Sequence, residues 1–513
     1  MFARTYSYTL NGIDAEKIDI EAHVKTGMYR FTIVGLPSNS VKESKERVVS
    51  AIQNSNFYFS QSVYTINLAP ADLKKDEVGI DLSMAISILI ATKQLQPAKI
   101  EDYAIIGELS LDGEVRPVRG VLPFAVAAQR DGIKGLIVPK ENAKEAALIQ
   151  GIDVYGVETL VEAVDFLAGN VNILPTITLV EEIFNTNLSE IDDMFDVKGQ
   201  YQVKRALEIA AAGGHNILML GPPGSGKTML ARRLPGILPE FVLEEALETT
   251  KIFSVAGLLN KFKNGVVVTR PFRSPHHTIS DIALIGGGSI PKPGEVSLSH
   301  NGVLFLDELP EFKKSALEVL RQPLEDGFVT ISRAVSSLCF PAKFMLVASM
   351  NPCPCGYHGS SIEGHTCSCG TSQIIKYRSR VSGPLLDRID IHIEVPQLHY
   401  SDLMQVPTGE KSEDIRKRVN QARNIQLERF VKEKIFCNAQ MSTKHIRKYC
   451  ILDEESKNLL QNAMTKKGLS ARAYDRILKL ARTIADIENS PDIHFKHLSE
   501  AVQYRNLDRK YWE

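Results

Sequence analysis

Eight consecutive residues, Gly221-Pro222-Pro223-Gly224-Ser225-Gly226-Lys227-Thr228, fit the phosphate-loop pattern Gly-x4-Gly-Lys-[Ser/Thr]. The glycines let successive backbone N–H groups turn inward around phosphate oxygens. Lys227 is placed to reach the β- and γ-phosphates, and Thr228 to ligate Mg²⁺. At average glycine usage, chance would produce the pattern only about 0.02 times in a chain of this length. The motif predicts binding of ATP or GTP.

Carboxylates downstream can complete such a site. Val303-Leu304-Phe305-Leu306 is an apolar run ending in Asp307-Glu308, as expected of a buried strand that delivers acids at its C-terminal edge. Asp307 is expected to hold Mg²⁺ through water and Glu308 to polarise the attacking water; the plainer reading is a strand ending in an exposed acidic turn. A third run, Phe344 to Met350, ends in Asn351, whose amide is placed to sense the γ-phosphate or the lytic water. Arg388, in Pro384-Leu385-Leu386-Asp387-Arg388-Ile389-Asp390, is either a salt-bridged surface group or a finger reaching a neighbouring subunit's site. There a planar guanidinium stabilises charge on the transferring phosphoryl. Arg472 and Arg476 lie one turn apart at the start of a helical segment, where one of them can report nucleotide state.

Cys353-Pro354-Cys355 and Cys367-Ser368-Cys369 place four thiols within 17 residues, separated by an eleven-residue gap. Tetrahedral Zn²⁺ takes four such ligands, and flanking glycines permit the tight turns. The spacing departs from the usual Cys-x2-Cys knuckle, which leaves unligated cysteines or a redox pair as alternatives. His358 and His365 lie in the gap and can replace a thiol. A zinc here is expected to be structural. Cys339, Cys437 and Cys450 read as ordinary core or surface cysteines.

The elements that must hold these groups are visible as hydrophobic patterns. His215 to Leu220 reads as a buried strand before the loop and Met229 to Leu234 as the helix after it. Residues 1–170 alternate β-rich runs (22–24, 30–34, 64–68) with helical ones (41–53, 81–92), an α/β or α+β pattern. Residues 171–195, with proline, scattered acids and Asn-Thr-Asn, read as a linker; 196–400 hold the nucleotide chemistry, and 401–513 show helical periodicity. Val329 to Phe340 reads as a hairpin before the Asn351 strand. The segment from Thr278 to Ser297 is a glycine-rich insertion with Lys292 near its tip.

Composition narrows the class. In 513 residues, 60 Lys plus Arg nearly balance 61 Asp plus Glu, so any contact with nucleic acid must be local. No apolar run is long enough to span a bilayer, and the first residues lack the apolar core of a signal peptide. The expectation is a cytoplasmic protein with no membrane partner and with reduced cysteines.

The segments Asp196-Val197-Lys198-Gly199-Gln200, Ala206 to Asn216, Arg273-Ser274-Pro275-His276-His277 and Gly286 to Glu295 resemble the magnesium-chelatase-related AAA+ proteins of the YifB/ComM family. The resemblance implies a multidomain α/β protein: a Lon-protease/S5-like α+β domain, a P-loop AAA+ αβα core and a helical C-terminal lid. It implies a homo-hexameric ring, Asn351 as first sensor, Arg388 as the finger acting in trans, and Arg472 as second sensor. By likeness to related helicases, the hairpin would line a pore and Arg333 would touch DNA, with Lys292 of the glycine-rich insertion as a second contact; the plainer reading of both segments is structural loops. The resemblance implies a motor for branch migration in homologous recombination, and in natural transformation where the host is competent. The alternative is a chelatase-like ATPase that remodels a protein or a tetrapyrrole–metal complex.

Residues 104–166 resemble the proteolytic domain of Lon proteases, through Ile106 to Val118 and Ala127 to Pro139. A Ser–Lys protease needs a nucleophile and a basic lysine. Here the nucleophile's place falls near Gly79, the lysine's falls on Leu122 or Phe124, and nearby Ser83 lies within a predicted helix. A pseudo-protease domain, similar to the one that ends RadA-type recombination proteins, is expected to help assemble the ring or guide DNA.

Overall fold

The computed structural model describes all residues except 74, 76–78, 179–191, 263–264, 289–290, 333–336, 360–365, 398–408, 434, 468 and 506–513. Arg333 and His365 therefore lie outside the described residues, as does part of the expected linker.

The first part of the chain builds a seven-stranded sheet in the order β3-β4-β2-β1-β5-β6-β7. Its strands are β1 (Phe2–Asn11), β2 (Asp14–Thr26), β3 (Arg30–Val34), β4 (Ser62–Ala69), β5 (Tyr103–Ile105), β6 (Gly135–Pro139) and β7 (Asp153–Val157). β1, β2 and β4 pair antiparallel, while β5, β6 and β7 run parallel, so the sheet is mixed. The alternating burial of β2 and β4 shows one face packed on the core. Helices α1 (Asn39–Asn54), α2 (Asp81–Ala91), α3 (Val121–Arg130) and α4 (Leu160–Ala168) cover it. α2 is buried along nearly its whole length, as its almost unbroken apolar sequence demands.

A second, wholly parallel sheet has the order β9-β10-β13-β8-β14. It consists of β8 (Ile217–Leu220), β9 (Phe272–Arg273), β10 (Val303–Leu306), β13 (Met345–Met350) and β14 (Ile391–Glu394). β8, β10 and β13 are buried throughout, which explains their continuous apolar sequence. Helices α5 (Tyr201–Gly213), α6 (Lys227–Arg233) and α7 (Leu243–Ala256) belong to this part. Between β10 and β13, strands β11 (Phe328–Ser332) and β12 (Ser337–Pro341) form the expected hairpin. The 278–297 segment is not a bare loop. It contains a short helix, Asp281–Ile285, and a two-residue antiparallel pairing of Gly286–Gly287 with Lys292–Pro293.

After α8 (Thr371–Arg378) and β14, helices α9 (Ser412–Arg429), α10 (Thr443–Tyr449), α11 (Glu454–Lys467), α12 (Ala471–Ile487) and α13 (Phe495–Gln503) form the C-terminal part. They share one apolar core with α5, α6 and the sheet. The seven-stranded part docks on α7: Leu247, Val266 and Val268 pack into the cluster around α3, and Gly120 N–H donates to Ser254 O at 3.3 Å. Glu145, buried there, accepts from Leu122 N–H, Asn142 and Ser254, while burial still pushes its carboxyl up. Among the described residues no helix is long and apolar enough to cross a membrane.

Candidate functional site

Strand order explains why three distant sequence segments meet. β13 lies between β8 and β10, with Met350 opposite Leu220 and Ala348 opposite Leu306. The residues that follow these strands therefore emerge side by side at one sheet edge: the phosphate loop, Asp307-Glu308, and Asn351. Carboxyl ends of parallel strands are where such sheets bind ligands.

Thr228 Oγ1 donates to Asp307 Oδ2 at 2.6 Å. Ser349, one turn of the pleat before Asn351, donates to Asp307 Oδ1. Lys227 is only 8 % exposed, and its Nζ donates to Gly221 O at 2.8 Å, Pro222 O at 2.9 Å and Asn351 Oδ1 at 3.2 Å. Burial pushes this ammonium down to about 8, against the opposing charges of Asp307 and Glu308. The chain's own oxygens thus surround the amine where phosphate oxygens would satisfy it better. Gly224 and Gly226 have φ of +75° and +88°, a backbone region costly for other residues, and nothing lies within 4 Å of a Cβ built on Gly224.

These residues fit a Mg²⁺–nucleotide. A hydroxyl and a carboxylate share one point, an ammonium and an open glycine turn adjoin it, and α6 begins at Lys227 with its N-terminus on the loop. Gln200 adds an acceptor in need of a donor. Its amide nitrogen braces Ser225 O at 2.7 Å, while its buried Oε1 finds no donor among the described residues.

Glu308 has φ of +53°, and its carboxylate is half exposed, 3.8 Å from His277 Nδ1. His277, Gln200 and Ser349 escaped the sequence-based site. The first two lie in segments that carry the family resemblance, which was the available signal; Ser349 is recognisable only once β13 and β10 are paired.

Arg388 and Arg472 do not join the loop. Arg388 is buried, its Nη1 donating to Pro384 O at 2.7 Å and its Nη2 to Glu325, while Nε has no acceptor among the described residues. Arg472 Nη2 lies 3.8 Å from the same Glu325. Burial, then the charges of Arg472, Arg321 and Arg476, hold the Arg388 guanidinium below its usual range. Arg476 pairs with Asp390, tying α12 to the strand edge. Lys292 is exposed on the glycine-rich insertion.

The four thiols of Cys353, Cys355, Cys367 and Cys369 come together, all Sγ atoms within 4.8 Å of one another. Cys353 to Cys355 measures 3.3 Å, Cys353 to Cys367 3.7 Å and Cys355 to Cys367 3.6 Å. A tetrahedral ion with bonds of about 2.3 Å spaces its sulfurs about 3.8 Å apart, so the pocket fits zinc.

In the front part, Ser83 is buried within α2, its Oγ 2.9 Å from Thr5 Oγ1, and Leu122 and Phe124 are buried in α3.

A parallel αβα core with a phosphate loop, strand-end acids and a polar third strand end defines a P-loop ATPase of AAA+ type. The magnesium chelatase subunit ChlI family matches residues 193–403, with its ChlI subunit domain at 20–142 and its C-terminal domain at 409–505. Competence protein ComM of Haemophilus influenzae is 46 % identical over 99 % of this chain and 98 % of its own length. YifB of Escherichia coli is 44 % identical over 97 % and 96 %. The chain belongs to the ComM/YifB family of magnesium-chelatase-related ATPases. Lon protease 1 of Hydrogenovibrio crunogenus matches more narrowly, 29 % identical over 29 % of this chain and 20 % of its own.

Proposed function

We propose that this chain is a Mg²⁺-dependent ATPase that assembles as a homo-hexameric ring and drives DNA branch migration in homologous recombination and natural transformation. The observation that carries the ATPase reading is the convergence of Lys227, Thr228, Asp307 and Asn351 at one sheet edge. Mg²⁺, when bound, would neutralise phosphate charge; Thr228 and Asp307 would hold it. Lys227 binds the β- and γ-phosphates, Asn351 senses the γ-phosphate or the attacking water, and Glu308 polarises that water. Arg388 of a neighbouring subunit supplies charge to the transferring phosphoryl, and Arg472 stands with it as sensor.

DNA is the cargo this reading assigns to the hairpin. Hairpin and glycine-rich insertion adjoin, since a Cβ on Gly286 would lie 3.2 Å from Ile331 Cδ1. Lys292 and Arg333 are the proposed DNA contacts, and the relative named for competence supports the choice. The division of labour follows 1–170 as a non-proteolytic assembly domain, 171–195 as linker, 196–400 as motor and 401–513 as lid, in the cytoplasm. A zinc ion occupies the four-thiol pocket in this account. The likeness to the magnesium chelatase subunit supports a second reading, remodelling of a protein or a tetrapyrrole–metal complex by the same core.

ATP turnover measured with Holliday-junction DNA, with porphyrin and with neither separates the two. Stimulation by DNA that Glu308→Gln reduces by about a hundredfold or more supports the motor. Stimulation by porphyrin alone would overturn it.

A further inference from the structure

We propose that zinc held by Cys353, Cys355, Cys367 and Cys369 is a positioning element of the nucleotide site, setting ATP affinity through the phosphate loop and Asn351. This rests on the reading of the thiol pocket as a zinc site and of the loop as an ATP site.

The first ligand, Cys353, follows Asn351 by two residues, and Asn351 Oδ1 is a side-chain acceptor of Lys227. Gly356 N–H donates to Cys353 O at 3.0 Å, which closes a turn with φ of +88° at Gly356. That turn lies flush on the phosphate loop: a Cβ on Gly356 would sit 2.4 Å from Pro223 Cδ and 2.6 Å from Pro223 Cγ. The second thiol pair runs into α8, and α8 returns to the sensor, with Arg378 Nε donating to Pro352 O at 3.1 Å. One ion would therefore cross-link a segment that touches Pro223 on one side and carries Asn351 on the other.

The segment's described residues bring little apolar surface to a core. Among its described residues, from Cys353 to Gly370, Cys353 is the one buried apolar side chain. A short loop without a core is ordered by its ligand, and metal-binding free energy becomes local folding free energy. Removing the ion would free the Gly356 turn and Asn351 together, loosening two of the contacts that shape the loop before phosphate arrives.

The test uses the purified full-length protein and reads binding of a fluorescent ATP analogue, so that it does not depend on turnover. Elemental analysis should find one zinc per chain, and cobalt exchange should give the intense thiolate-to-metal absorption of a four-sulfur site. Cys355→Ser with Cys367→Ser should abolish both and weaken nucleotide binding about tenfold. Gly356→Ala keeps all four thiols and tests the contact with Pro223, with its zinc content measured alongside. It should retain zinc and weaken binding by a similar factor, because its Cβ displaces Pro223. Absence of zinc and of the cobalt spectrum overturns the metal site. Stoichiometric zinc, with nucleotide affinity unchanged in both the zinc-free protein and Gly356→Ala, overturns the coupling. A wild-type chain that binds zinc and no ATP refutes the nucleotide reading instead.

Discussion

Arg388 is clamped by Glu325 of its own chain, from 63 residues earlier in sequence. With Nη1 on Pro384 O as well, both arms of the guanidinium are engaged on the side where Arg472 also stands. The two arginines that resemble a finger and a sensor are thus gathered with each other and not with Lys227. Any reach of Arg388 into a neighbouring subunit's site would have to release it from Glu325.

Mixing subunits tests it. Arg388→Ala and Lys227→Ala should each lower ATP turnover by about a thousandfold. Combined in equal amounts they should regain about a quarter of wild-type activity, because about one interface in four pairs an intact loop with an intact arginine. No recovery in rings shown to be mixed would place Arg388 in its own subunit's chemistry.

Thr228 and Asp307 already touch, so each is expected to fail in the same way. Thr228→Ala and Asp307→Asn should lower turnover by about a hundredfold or more, and a magnesium titration should show weakened dependence on the metal. In the double variant the losses should not add, since the two side chains act on one point. Additive losses would separate their roles.

Asp390 couples the C-terminal helices to the strand edge and makes stability pH-dependent. Burial raises its carboxyl, but Arg476 and His215 override burial and hold it well below the usual carboxylate range. A depressed folded-state value contributes stability above the unfolded value of about 4 and loses it as pH falls further. Asp390→Asn should therefore lower the melting temperature clearly at pH 7, as expected for a broken buried pair worth about 3–5 kcal/mol. The gap between variant and wild type should narrow as pH drops below 4. A gap independent of pH would remove charge from the explanation.

What could be read from sequence follows the range of the interactions. The phosphate loop is local: eight adjacent residues whose types dictate backbone shape, and β8 and α6 stand on either side of it. Asp307-Glu308 and Asn351 were legible because apolar runs mark buried strands and the polar residue after each marks the strand end. The Glu325–Arg388 clamp, the Ser349–Asp307 bond and the seat of Gly356 on Pro223 depend on which strands neighbour one another, which periodicity does not encode. The thiol spacing announced four cysteines that could converge, but not that their loop would rest on the phosphate loop.

The central claim, a ring ATPase that moves branched DNA, is tested most directly by a fluorescently labelled synthetic Holliday junction incubated with the protein, ATP and Mg²⁺. Conversion to two forked duplexes is expected at a rate that tracks ATP turnover and falls to background with Glu308→Gln. Full ATP turnover with an unchanged junction would contradict it.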